Sequence, residues 1–203
     1  MNTIRSICVY CGSSPGRDGI HVKAGHLLGR SIAKAGLRLI YGGGTKGIMG
    51  AVAEGALKAG GKVTGIIPRF LINREATETA LDRLDELLIT ENMHERKHSM
   101  FEKSDAFVAL PGGIGTVEEI VEIMTWAQLG HHRKPIVFGN VNGFWDPMLA
   151  LLDHMATEGF IHTAQRVKPL VVEDPEAIVA AIMVAGSSVD APTEGVQSVI
   201  EKM

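Results

Sequence analysis

Apolar residues in this chain come in short unbroken runs rather than in alternation. Residues 4–10, 37–41, 62–67, 86–90, 105–110, 134–138 and 167–172 read as seven strands. Unbroken runs predict strands covered on both faces, as in a parallel sheet. Between them, residues 20–35, 48–59, 92–103, 117–129, 144–157 and 175–185 read as helices. Gly36 and the pair Gly60 and Gly61 stop the first two. Residues 69–85 carry mixed signals and predict a loop with a short helix. Strands alternating with helices predict an α/β fold: a doubly wound, Rossmann-like, mostly parallel sheet of about seven strands with helices on both faces. Residues 1–185 are expected to form one domain. Residues 186–203 turn small and polar and read as a tail with one helical turn near its end.

Composition narrows the classes. The 203 residues hold 24 glycines, 45% hydrophobic residues and only 5% aromatics, which suits tight strand-to-helix turns. A net charge of −3 argues against a nucleic-acid partner, which asks for a basic face. No run approaches the roughly 18 apolar residues of a membrane span. The first residues have no apolar core of a secretory signal. Two cysteines are too few for a disulfide framework, so a reducing cytoplasm is the expected location.

The most informative stretch is Leu110-Pro111-Gly112-Gly113-Ile114-Gly115-Thr116-Val117-Glu118-Glu119. An apolar strand enters it, Pro111 ends the ladder, and a helical pattern leaves it. The glycines permit a sharp turn and a close approach by a ligand. Free N–H groups at the helix start, aided by the helix dipole, favour an anion such as phosphate. Thr116 adds a hydroxyl there, and Glu119 stands one turn further on. Two other small-residue loops, Cys11-Gly12-Ser13-Ser14 and Gly42-Gly43-Gly44-Thr45, also end strands. In doubly wound sheets such loops gather at the carboxyl edge, where ligands bind at the topological switch.

On the helix after the glycine turn, Val117, Ile120, Val121 and Met124 form the expected core stripe. Glu118, Glu122 and Thr125 fall opposite, with Glu119 and Trp126 at a flank. Arg96 and Lys97 are adjacent cations on the preceding helix. They are either part of a solvated face or, for one guanidinium, a planar fork aimed at a pocket. Cys8 and Cys11 are three apart on a strand and so point to opposite faces, which disfavours a redox or metal pair. His131-His132-Arg133-Lys134 reads as an exposed loop without metal-ligand spacing. Gly42-Gly43-Gly44-Thr45-Lys46-Gly47 lacks both the P-loop and the G-x-G-x-x-G spacing. A monophosphate therefore fits better than a triphosphate or a dinucleotide. Lys46 is expected to bring a charge near the pocket.

Pro111 to Glu119 matches P-G-G-x-G-T-x-x-E, and Met93-His94-Glu95-Arg96-Lys97 matches an upstream M-x-x-R-K. Both resemble the LOG family of cytokinin riboside 5′-monophosphate phosphoribohydrolases, long mislabelled as lysine decarboxylases. Tyr41-Gly42-Gly43-Gly44, Gly47-Ile48-Met49-Gly50 and Thr125-Trp126-Ala127-Gln128-Leu129-Gly130 extend the similarity over roughly residues 6–172. The resemblance implies hydrolysis of the N-glycosidic bond of an adenosine 5′-monophosphate, with or without an N6 substituent. Free base and ribose 5-phosphate would be released. It assigns catalysis to Arg96 and Glu119. It places nucleotide contacts on Glu75, Arg96, Lys97, Gly113, Ile114, Gly115, Thr116, Val117, Glu118, Glu119 and Thr125. It implies no cofactor, no metal, and a homodimer with Trp126 near its interface. A second function remains open on the same fold: a non-catalytic nucleotide or cofactor carrier, as in the similar molybdenum-cofactor carrier proteins.

Overall fold

The computed structural model describes residues 3–161 and 168–188. Seven strands form one parallel sheet: β1 (Ser6–Tyr10), β2 (Arg38–Tyr41), β3 (Lys62–Pro68), β4 (Glu86–Thr90), β5 (Ala106–Ala109), β6 (Ile136–Gly139) and β7 (Leu170–Val172). Their order is β4-β3-β2-β1-β5-β6-β7. The helices are α1 (Ile20–Lys34), α2 (Gly47–Lys58), α3 (Ile72–Glu75), α4 (Glu78–Leu81), α5 (Met93–Glu102), α6 (Ile114–Gln128), α7 (Asp146–Thr157) and α8 (Ile178–Ser188). The predicted alternation and the parallel sheet are both present. Residues 69–85 hold a 3₁₀ turn and two short helices instead of one. The expected turn near the chain's end lies outside the described residues, as does the predicted start of β7 at Val167.

The chain moves outward in one direction from β1 to β4, then returns to the centre and moves the other way. The switch therefore falls between β1 and β5, whose pairing sets Ile7 beside Ala106 and Tyr10 beside Ala109. The Asp105 carboxylate fastens the start of this seam. It accepts from the backbone N–H groups of Arg5 and Ser6 at 2.8 and 3.0 Å, and from the Ser6 hydroxyl at 3.0 Å. At the other end the Gly12 N–H donates to the Pro111 carbonyl at 3.0 Å.

Each face of the sheet carries its own core. Ile7, Val9, Leu39 and Val108 pack beneath α1, α2 and α8, while Cys8, Tyr10, Phe107 and Phe138 pack beneath α5, α6 and α7. Cys8 and Cys11 fall into different cores, as their spacing predicted. On the first face α1 and α2 nearly touch. A β-carbon at Gly29 would overlap the Val52 carbonyl, and one at Gly55 would overlap the His26 carbonyl.

Two local expectations are corrected. The helix expected at 117–129 begins at Ile114, so Gly115 and Thr116 lie inside its first turn. Its buried stripe is Thr116, Glu119, Ile120, Ile123 and Met124, whereas Val121 is exposed. The stripe is thus rotated from the one hydrophobicity suggests, and Glu119 moves from a flank to the buried face. The second correction is His132, which is buried rather than in an exposed loop. Its Nε2 lies 2.9 Å from the Ile123 carbonyl, and its ring packs edge-on to Phe101 and Phe107. Burial lowers its pKa. Lys134 follows it inward, with its ammonium 3.8 Å from the Phe101 ring centre.

Candidate active site

A cleft of about 370 Å³ opens at the carboxyl ends of β1, β2 and β5. All three predicted loops contribute, through Cys11 to Ser13, Gly42, and Gly113 to Thr116. The loop after β5 delivers the start of α6. Its N-cap is Gly113, which has no side chain to satisfy the first N–H groups. Those groups are the ones a helix leaves unpaired at its start. A β-carbon on Gly113 or Gly115 would meet nothing within 4 Å, so this end of the helix faces open space. Gly112 is different: a β-carbon there would overlap the Thr116 side chain and approach the Gly12 nitrogen. Gly112 thus allows the turn to close, and Gly113 and Gly115 leave it accessible.

The floor of the cleft holds the two residues that sequence placed at its centre. Arg96 is 5% exposed, although it is an arginine on a short, polar helix. Asn92 fixes the start of that helix by accepting from the Glu95 N–H at 2.9 Å. The Arg96 Nη2 donates to the Gly42 carbonyl at 3.2 Å, and Nη1 lies 3.8 Å from the Met93 sulfur. Its Nε is buried without a protein partner. A β-carbon at Gly42 would overlap this guanidinium, which explains a glycine there. The fork is therefore anchored on one side and has donor capacity left over.

Glu119 is 9% exposed. Burial raises its pKa to about 7; Arg96 opposes this, Glu118 and Glu75 add to it, and Lys97 opposes it. A carboxyl that titrates near neutrality suits proton transfer. Glu75 ends α3 and also lines the cleft, and its Oε2 is buried with no partner. Its backbone carbonyl accepts from the Thr45 N–H at 2.8 Å, which ties α3 to the turn after β2. An unpartnered acceptor and an unpartnered donor in one cleft are groups left for a ligand. Leu71, Met49, Met93 and Met100 supply the apolar part of the lining.

The fold thus brings together Glu75, Arg96, Gly113, Ile114, Gly115, Thr116, Glu118 and Glu119. Val117 packs into the core below the cleft. Lys97 and Thr125 do not line it. The Lys97 ammonium sits 2.6 Å from Glu118 and 3.1 Å from Glu122. Thr125 is three turns along α6, where its hydroxyl donates to the Val121 carbonyl at 2.8 Å. Lys46 is exposed and reaches the Arg74 carbonyl at 3.5 Å, without lining the cleft. Met49 and Met93 appear in the sequence motifs but not among the expected contacts, and Leu71 in neither; an apolar residue in or beside a motif reads as core.

A family model described as "Possible lysine decarboxylase" matches residues 49–182. Among the described residues no lysine lines the cleft, and a pyridoxal phosphate decarboxylase needs one for its Schiff base. A cytokinin riboside 5′-monophosphate phosphoribohydrolase of Rhodococcoides fascians is 44% identical over 180 residues, which cover 89% of this chain and 90% of that one. The corresponding LOG protein of Oryza sativa subsp. japonica is 44% identical over 173 residues, covering 85% and 69%. Among solved structures, the molybdenum-cofactor carrier protein of Chlamydomonas reinhardtii shares the fold with a TM-score of 0.67 at 21% identity, over 92% of this chain and 99% of that one. A molybdenum-cofactor binding protein of Rippkaea orientalis does so at 0.65 and 22%, over 90% and 97%. A buried arginine and a neutral-range glutamate beside an open helix start, joined to this identity over most of two such enzymes, decide the matter: the chain belongs to the cytokinin riboside 5′-monophosphate phosphoribohydrolase (LOG) family.

Proposed function

We propose that this protein hydrolyses the N-glycosidic bond of adenosine 5′-monophosphates, including those with N6 substituents. Water adds to C1′, the C1′–N9 bond breaks, and the base leaves as the free purine with a proton. Ribose 5-phosphate is the other product. The observation that carries this reading is the placement of Glu119, buried on the cleft floor with Arg96 and one turn from an unblocked helix start.

The phosphate sits on the N–H groups from Gly113 to Thr116, where charge and dipole favour it. The ribose then extends toward Glu119. Glycosidic cleavage passes through an oxocarbenium-like state. Ionised Glu119 stabilises that cation and accepts a proton from the attacking water. Arg96 orients the sugar or phosphate with its unpartnered donor. Glu75 accepts from a ribose hydroxyl or the base edge. The apolar wall of Leu71, Met49 and Met93 suits an adenine ring. We assign Val117, Glu118, Lys97 and Thr125 to the support of this site, with residues 1–185 as its domain.

The protein is proposed to act as a homodimer. Val121 and Met155 are exposed apolar side chains that line a second cavity, of about 470 Å³, between α6 and α7, and Leu129, Leu151 and Phe160 are further exposed apolar residues in or just after these helices. Thr125 lines that cavity, so a second copy on this face would cover it. Both cysteines are free and buried, which suits the reducing cytoplasm. Among the described residues no helix is long and apolar enough to cross a membrane.

The test is a chromatographic assay of base release from AMP and N6-isopentenyl-AMP. Release is expected, with the Glu119→Gln variant slower by about 10³-fold. The ratio of the two rates sets the substrate class. Tight binding with no release from either nucleotide would sink the enzyme and favour a carrier.

A further inference from the structure

A further cavity, of about 370 Å³, shares the turn after β2 with the cleft. Gly42 lines the cleft, whereas Gly44 and Thr45 line this cavity. Its apolar walls are Ala51, Ala53 and Leu57 of α2 and Leu84, which precedes β4. Three polar side chains meet there: His26 of α1, Glu54 of α2 and Arg83. The His26 Nε2 lies 3.7 Å from the Glu54 carboxylate. The Lys58 ammonium bonds the same carboxylate at 2.7 Å and lowers its pKa, with smaller contributions from His26 and Arg83. Tyr41, at the end of β2, also lines the cavity and is 1% exposed. Burial raises its pKa and keeps the phenol protonated. Among the described residues no group makes a hydrogen bond to its hydroxyl.

Apolar walls with a few fixed polar groups make up a small-molecule site. The polar groups choose the ligand. An ionised carboxylate accepts from N–H groups and repels an anion, which disfavours a phosphate beside His26 and Arg83. A protonated phenol without a partner has an O–H to donate. Alanines at 51 and 53 leave room for a flat ring against α2. We propose that this cavity is a second ligand site, for an uncharged heterocycle of nucleobase size that bears an exocyclic amino group. The amino group donates to Glu54, and a ring nitrogen accepts from the Tyr41 hydroxyl. That the base is adenine rests on the phosphoribohydrolase reading, in which adenine is the base released from AMP.

The two sites share more than a wall. The Thr45 N–H donates to the Glu75 carbonyl at 2.8 Å, and the Thr45 hydroxyl does so at 3.4 Å. Glu75 in turn brings a carboxylate oxygen without a partner to the cleft. A β-carbon on Gly44 would press on Met49, which lines the cleft as well. A base held against Thr45 therefore bears on the part of the turn that positions Glu75. Any effect of the base on AMP affinity is matched by an equal effect of AMP on the affinity for the base.

The experiment uses the full chain carrying Glu119→Gln, which holds AMP in the cleft without consuming it. Adenine is titrated by calorimetry, first alone and then with AMP at saturation. Adenine binding should persist when the cleft is full. Adding Tyr41→Phe should weaken that binding about fivefold, the share of one hydrogen bond, and adding Glu54→Gln should weaken it about tenfold or more. Hypoxanthine, with a carbonyl in place of the amino group, should bind at least about tenfold more weakly than adenine. Adenine that AMP displaces completely would belong to the cleft and overturn the proposal. Equal binding of adenine and hypoxanthine, or an affinity unmoved by both substitutions, would overturn it as well. Tyr41→Phe breaks no hydrogen bond among the described residues, and its unchanged AMP affinity shows that the fold is kept. If the wild type releases no base, the hydrolase reading fails, and the adenine titration still decides whether the second site exists.

Discussion

Two glycine-rich turns lead into two helices at the same edge of the sheet, and they end up with opposite uses. The turn after β2 enters α2, whose first N–H groups are already taken: Ile48 and Met49 donate to the Gly12 carbonyl at 3.1 and 3.2 Å. Gly47 has φ 57° and lies against the Ser13 backbone. The turn after β5 enters α6, whose start has no side-chain cap and faces open space at Gly113 and Gly115. Glycine serves close packing in the first case and access in the second. A glycine motif therefore marks an anion site only where nothing else in the chain has reached the helix start first. Here the β1 loop blocks α2 and leaves α6 free.

Substitutions that separate the two turns sharpen this contrast. Gly47→Ala should be the most damaging to the fold. It places a β-carbon at positive φ and against Ser13, for a loss of about 2–4 kcal/mol in urea unfolding. The same loss at Gly115 would show that the second turn is packed as tightly as the first.

Next in size is the stability cost of keeping Glu119 beside the open turn. Its native pKa is about 7, against 4.5 for an ordinary glutamate. Between those values the native state holds a proton that the unfolded chain lacks. Its contribution to stability is complete below about pH 4.5 and is lost as pH rises through 7. Glu119→Gln escapes that loss. It should gain about 2–3 kcal/mol relative to the wild type between pH 5 and pH 8, read from thermal melts of both proteins at each pH. His132 titrates in both proteins and cancels. Equal melting differences at the two pH values would mean that Glu119 is ionised throughout.

The smallest effect is at Gly115. Alanine there meets nothing and lies in a helix, so it should stabilise the free protein by about 0.5–1 kcal/mol. It should also weaken AMP binding several-fold, because the methyl group enters the space left for phosphate. A gain in stability with unchanged affinity would place the anion elsewhere.

Much of this was legible in the sequence because it is local. Unbroken apolar runs marked the strands, and glycines marked the turns at the cleft. The motif around Pro111 to Glu119 located the open helix start. What escaped depends on neighbours far along the chain. Hydrophobicity alone chose Val121 for the core of α6, but the buried face of that helix carries Thr116 and Glu119 instead. His132 is one of four consecutive polar residues and has no local sign of burial; Phe101 and Phe107 cover it. The ion pairs of Lys97 escaped as well, because Glu118 and Glu122 lie on another helix.

The β1–β5 seam carries one more consequence, in time rather than space. β1 can pair with β2 once some forty residues exist, but its other edge waits for β5, about seventy residues later. Contacts this distant along the chain form slowly. During synthesis the first four strands can assemble while the cleft still lacks the wall that α6 supplies. The unpaired edge of β1 is meanwhile a template for any extended segment. The carboxylate of Asp105 meets the start of β1 as this gap closes, so it is placed to set the register of the last central pairing. The cleft then comes into being only when β5 joins β1, before β6 and β7 extend the sheet, and its appearance reports that distant parts of the chain have found each other.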